Sequence, residues 1–177
     1  VGKIEYTWDE RSATSPYNSP VKINNTAKYI AFYSNGGPIL NSIMQPFHFN
    51  KATGKKIMIK TKPDEKYPGQ GGAFSLVNGI YSDKGLSHTD WLGWVGDNLE
   101  ATIDLGQKQS VSTVKVHTLE QNGSWIYLPS AVRVLVSDDG KTYRTINRSA
   151  SFEKDNLTMG FLTVTFPATS ARYVKVI

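Results

Sequence analysis

The chain predicts an all-β protein, and three observations carry that expectation. First, apolar side chains recur at every second position in three runs between Asn98 and Tyr143. Leu99, Ala101, Ile103 and Leu105 alternate with Glu100, Thr102 and Asp104. Val114 and Val116 alternate with Lys115 and His117, and Val132, Val134 and Val136 with Arg133, Leu135 and Ser137. Second, turn chemistry separates the runs: Gly106 is expected to end the first, and Asp139-Gly140 to close a turn that needs a positive φ. Third, no stretch sustains helical periodicity. Half-buried strands in succession argue for an antiparallel sandwich or barrel, with the nine apolar residues just named in its core.

Taken in order, residues 1–52 read as a small β module of their own. Ile4, Tyr6 and Trp8 alternate until Asp9-Glu10 and Ser12 interrupt them. Tyr29 to Tyr33 is a compact apolar run, broken by Asn35-Gly36-Gly37-Pro38. Residues 50–56 read as the boundary, and a second module is expected over 53–177. Ile57 to Ile59 would open it, and Pro63 to Gly72 is too rich in proline and glycine for regular structure. Near the end, Leu162, Val164 and Phe166 share one face. Pro167 is expected to end that strand, and Arg172 to Ile177 to form a last one. No internal repeat of fixed period is present.

Composition excludes several classes. The 177 residues hold no cysteine, which removes disulfides and thiolate metal sites. No run of 18 apolar residues is present to span a membrane as a helix. The net charge of +5 would suit a nucleic-acid partner, but the basic residues are scattered. The densest group, Lys55, Lys56, Lys60, Lys62 and Lys66, reads as a solvated face, so no nucleic acid is expected. The chain does not begin with Met and reads as a piece of a longer protein.

The string "LEATIDLG", a hydrophobic strand, then "GSWIYLPSAVRVLVSDDGKTY" resembles the discoidin or coagulation factor 5/8 type C module. That module is similar to family 32 carbohydrate-binding modules, and the likeness runs to copies appended to bacterial β-hexosaminidases and chitobiases. "FSLVNGIYSD", "HTDWLGW" and "ARYVKV" fit the same order, so the resemblance covers about 53–177. It implies a discoidin-like (galactose-binding-like) jelly-roll β-sandwich, with one further strand after Ile177. "IEYTWDERSATSPYNSPVKI…TAKYIAFYSNGG" resembles the small β-sandwich near the C-terminus of chitobiases, here partial, with Glu10 where that family has glycine.

No catalytic set emerges. The acidic pairs Asp9-Glu10, Asp64-Glu65 and Asp138-Asp139 sit in turn-like sequence, where Asp bonds the local backbone. Glycoside cleavage needs two carboxylates facing across a cleft, and nothing here predicts that. There is no nucleophile elbow, HExxH or P-loop, and His48, His88 and His117 share no metal-ligand spacing. The oxygen-rich 78–90 loop suits a hard cation, and the resemblance implies a structural calcium there, with Asn78, Asp83 and Thr89 as the expected ligands. The alternative for Asn78-Gly79 is a plain turn.

Sugar binding is the expected chemistry. A pyranose stacks a C–H face on an aromatic ring while its hydroxyls meet fixed polar groups. The candidate residues are Trp125, Tyr127, Asn122 and Glu120, with Trp91. For Trp125, stacking on a sugar and plugging one end of the sandwich both stay open. Trp91 and Trp94 read first as loop anchors. The expected function is non-catalytic glycan binding beside a linked chitobiase- or hexosaminidase-like hydrolase, on a monomer that is secreted, periplasmic or at a bacterial cell surface. The glycan expected from the resemblance contains hexosamine or galactose. The alternatives are a ligand-free spacer or protein-docking module and, third, attachment to a membrane, which the loops disfavour by lacking an exposed apolar spike.

Overall fold

A computed structural model describes residues 3–8, 13–34, 39–147, 151–154 and 159–177. The chain forms two compact units: Val1–Thr53 with Gly79–Tyr81, and Gly54–Asn78 with Ser82–Ile177.

The first unit is an antiparallel sheet in the order β2-β1-β3-β4. β1 spans Lys3–Thr7, β2 Ser15–Pro16, β3 Ala27–Ser34 and β4 Ile39–Phe47. Ile4 and Tyr6 lie on β1 and Trp8 just beyond it, but Ile4 is exposed and Thr7 is the buried residue of the strand; Tyr6 meets Trp8 and Tyr17 edge-on at 6.0 and 6.4 Å. The Asp9-Glu10 pair and Asn35-Gly36-Gly37-Pro38 lie outside the described residues. The His48 N–H donates to the Gly79 carbonyl at 2.7 Å, and the His48 ring stacks on Tyr81 at 4.4 Å.

The second unit is organised by one long antiparallel ladder, β6 (Ala101–Leu119) against β10 (Met159–Val176). β5 (Lys56–Ile59) pairs with the start of β6. β7 (Val134–Ser137) pairs with the end of β10, and β8 (Arg144–Asn147) with β7. β9 (Ser151–Lys154) pairs with the start of β10. Every pairing is antiparallel. Two bulges bend the ladder and correct two expectations. Gly106 does not end a strand. β6 continues through it, and its φ of +86° lets the backbone bulge between the pairs Asp104–Tyr173 and Gln109–Ala171. Pro167 does not end β10 either. It lies in a second irregularity, between Thr165 and Thr169, where its missing N–H breaks no ladder bond. The expected final strand from Arg172 is therefore the far half of β10.

The core is the face the alternation pointed to. Leu105, Val132, Val134 and Val136 meet Leu162, Val164, Phe166, Ala171, Val174 and Val176. Val134, Val136 and Val164 are fully enclosed. Ala101 is buried as well, while Ile103, Val114 and Val116 are half-buried against the cluster. Leu99 departs from expectation: it precedes β6, outside any strand, and is only half-buried. Asp139-Gly140 makes the expected turn between β7 and β8, with Gly140 at φ +72°. Asp139 Oδ1 accepts the Lys141 and Thr142 N–H groups and the Ser137 hydroxyl. These donors hold its carboxyl down to about 2, the backbone bonds from Lys141 and Thr142 foremost.

Candidate functional site

β6 ends at Leu119 and the backbone turns at once through Glu120 to Tyr127. Gln121 and Ile126 form an isolated antiparallel bridge, with the Gln121 N–H donating to the Ile126 carbonyl at 2.9 Å and the Ile126 N–H returning to Gln121 at 3.2 Å. A single 3-10 turn, Asn122–Ser124, fills the tip. Its Ser124 N–H donates to the Gln121 carbonyl, and Gln121 Nε2 donates to the Ser124 hydroxyl at 3.0 Å. Trp125 caps the turn in the left-handed region, at φ 60° and ψ 30°. Among the described residues it is the one non-glycine with positive φ. A bulky aromatic residue there is strained, and such strain persists where the surrounding bonds over-determine it, commonly at functional sites.

That backbone drives the indole outward. Trp125 is 84% exposed and Tyr127 60%. Trp125 therefore plugs nothing, and the packing alternative for it falls. Asn122 is exposed beside it, and Glu120 is half-buried at the foot of the loop. Trp125, Tyr127, Asn122 and Glu120 thus lie on one short loop, closed by its own hydrogen bonds, carrying two exposed rings and two polar side chains. The expectation that the loops lack an exposed apolar spike is overturned by Trp125, and also by Val95, which is 76% exposed.

Trp91 is placed differently. It is half-buried, and its Nε1 donates to the Gly85 carbonyl at 2.7 Å. Trp94 is anchored alike, its Nε1 donating to the Thr61 carbonyl at 3.1 Å. The Trp91 ring stacks on His117 at 5.2 Å, and His117 meets Phe161, its registered partner on β10, at 4.7 Å. Lys115 Nζ lies over the Phe161 ring at 5.8 Å. His117 is three residues before Glu120, about 10 Å along a strand. This ring row thus lines the end of β6 that feeds the exposed loop. Sequence reading missed His117 as the neighbour of Trp91, and Phe161 as the neighbour of His117. The one local signal was an aromatic residue in each strand, and their meeting depends on the β6–β10 register.

Two of the three residues expected to hold calcium bond other side chains. Asn78 presents its amide Nδ2, not its oxygen, to Asp90 Oδ2 at 3.0 Å. Thr89 donates to Gln70 Oε1 at 2.8 Å, and Asp83 is exposed. Among the described residues no group of three or more His, Asp or Glu side chains could hold a metal ion. A hard cation draws several oxygens to one point, whereas here the Asn78 amide nitrogen is turned to Asp90 and the Thr89 hydroxyl to Gln70.

The remaining charges brace the ladder. Arg172 Nε and Nη2 donate to both Asp104 oxygens at 2.9 Å. With the Gly106 N–H they hold the Asp104 carboxyl at about 2, the Arg172 bond being the largest cause. Lys175 and then Lys60 keep Glu100 below the ordinary glutamate range. Lys62 pairs with Glu65, and Lys108 with Asp138 at 2.7 Å. Asp64 and Asp139 bond local backbone N–H groups as expected, whereas Asp138 reaches Lys108, 30 residues away.

Comparison with known proteins bears on the fold. The model of the family described as "NedA-like, galactose-binding domain", an F5/8 type C family, matches residues 76–176. No curated protein matches this sequence. Among solved structures, the lectin domain of lectinolysin, determined with Lewis B antigen, is 25% identical at a TM-score of 0.52, covering 72% of this chain and 84% of its own. A fucose-binding module of Streptococcus pneumoniae is 18% identical at 0.50, covering 72% and 82%. Chitosan-binding module 1 of a Paenibacillus sp. IK-5 chitosanase/glucanase is 22% identical at 0.49, covering 73% and 84%. The fold is accordingly an all-β, discoidin-like jelly-roll sandwich, and the protein belongs to the F5/8 type C family of NedA-like, galactose-binding domains.

Proposed function

We propose that this protein binds a glycan without catalysing its reaction, and that the 120–127 loop is the binding surface. The observation that carries this reading is Trp125. A tryptophan held 84% exposed in a left-handed backbone, on a loop closed by its own hydrogen bonds, is a preformed stacking plate. A sugar ring can lie on Trp125, with Tyr127 as a second apolar surface. Asn122 and Glu120 supply a donor-acceptor pair and a carboxylate for hydroxyls. The preformed loop reduces the ordering cost of binding. Family membership and the carbohydrate-binding neighbours support the class of ligand.

Hexosamine- or galactose-containing glycans are the proposed ligands, since galactose binding is in the family's description and the resemblance runs to hexosaminidase-borne modules. On the same resemblance, we place the protein in a chitobiase-like glycoside hydrolase outside the cell, with 1–52 as a small module and 53–177 as the binding module. Tethering raises the effective substrate concentration, so modest affinity suffices. A structural calcium is carried by the resemblance alone, and nothing in this reading depends on it.

Titration of the protein and of Trp125→Ala with chitotriose and with a galactose-terminated disaccharide tests the reading. Binding by the parent, lost in the variant at an unchanged melting temperature, is the expected result. A parent that binds neither these sugars nor any glycan on an array overturns it.

A further inference from the structure

We propose that Asn122 is a deamidation site, at which the Trp125 loop gains a negative charge in place of an amide. In an Asn-Gly pair the glycine nitrogen loses its proton to water and attacks the asparagine Cγ. A bond forms between that nitrogen and Cγ, the bond from Cγ to Nδ2 breaks, and ammonia leaves a succinimide. Water then opens that ring at either carbonyl, giving aspartate or isoaspartate. The net change is amide plus water to carboxylate plus ammonium, with no oxidant or reductant. Glycine favours the attack because it carries no side chain to block it.

Local sequence alone would rank Asn78-Gly79 and Asn122-Gly123 alike, with Asp139-Gly140 open to the related ring closure. The structure separates them. Asn78 is half-buried with its amide bonded to Asp90 Oδ2, and Gly79 is buried, with the His48 carbonyl 3.0 Å from where a Cβ would sit. The Asn78 Cγ therefore cannot swing to the next nitrogen without giving up that bond. Asp139 Oδ1 is held by two backbone N–H groups and the Ser137 hydroxyl, and the carboxylate stays ionised, which makes it a poor electrophile. Asn122 is exposed, and nothing lies within 4 Å of where a Cβ at Gly123 would sit. Water and base therefore reach this pair freely. Asn35-Gly36 lies outside the described residues.

The consequence falls on the proposed binding loop, because the Asn122 carbonyl accepts the Trp125 N–H at 3.1 Å. Isoaspartate adds a methylene to the backbone inside that turn, and aspartate replaces an amide donor with a negative charge. This part rests on the glycan reading, whereas the modification itself does not.

The test holds the folded protein in warm, mildly alkaline buffer and maps its peptides by mass, with isoaspartate detected enzymatically. The expected result is the amide-to-acid mass increase at Asn122 well before Asn78, with both sites reacting once the protein is unfolded in urea. Equal rates at the two sites in the folded protein, or no change at Asn122, overturn the proposal. In parallel, Asn122→Asp is titrated with chitotriose and with a galactose-terminated disaccharide. An affinity change of about fivefold at an unaltered melting temperature is expected for loss of one polar contact. Unchanged affinity removes the functional consequence. Fresh protein that binds no glycan overturns the binding reading, and the peptide masses then decide the modification by themselves.

Discussion

The Asn122 carbonyl accepts the Trp125 N–H at 3.1 Å, and this bond closes the turn that holds the indole at φ 60°. On the proposed reading, stability and recognition are therefore opposed at one residue. Glycine adopts a positive φ without strain, so Trp125→Gly should leave the melting temperature unchanged or raise it. Glycan affinity should fall tenfold or more, from about 1.5–3 kcal/mol for one large apolar contact. Calorimetry and titration on the same variant decide it. A large fall in melting temperature would show the ring packs rather than presents itself.

Val134 tests the register. It is fully enclosed by the β7 and β10 valines, whereas Val95 stands 76% exposed. Val134→Asp buries an unpaired charge at a cost of several kcal/mol and should prevent folding. Val95→Asp should melt within a few degrees of the parent. Circular dichroism of the two variants checks the contrast, and a folded Val134→Asp would move the β7 face by one residue.

The Asp104–Arg172 pair sets an acid limit. The Asp104 carboxyl is held at about 2 against its usual 3.8, so its folded value lies below the unfolded one. Its contribution is complete above the unfolded value and is lost as pH falls toward the folded one. Asp104→Asn should melt below the parent at neutral pH, with the two curves converging near the lower limit. A constant offset down to that pH would show that the pair does not titrate with folding. The pair is partly exposed, so the offset should be modest and should shrink in salt.

Calcium is checked by melting the protein in EDTA and in millimolar calcium. With Asn78 turning its amide nitrogen to Asp90 and Thr89 bonded to Gln70, coincident curves are the expected outcome. A rise in calcium would mean the 78–90 loop rearranges to turn oxygens onto the ion, since whatever binds only the folded state stabilises it.

The sequence by itself determined which faces are apolar. Val134 and Val136, and Leu162, Val164 and Phe166, alternate because a strand shows successive side chains to opposite sides, and all five are buried, as is Val132 just before β7. It also determined the Asp139-Gly140 turn, whose chemistry is complete within six residues. What only the tertiary structure decided depends on partners far along the sequence. Gly106 and Pro167 look like strand ends in isolation. They prove to be bulges because β6 and β10 resume pairing beyond them. Trp91 meets His117, and His117 meets Phe161, through a register that joins residues 44 positions apart. The "NGSW" string placed an aromatic residue beside polar ones, and local chemistry could not choose between a buried and an exposed indole. The Gln121–Ile126 bridge and the 3-10 turn made that choice by forcing Trp125 into a left-handed backbone whose side chain points to solvent.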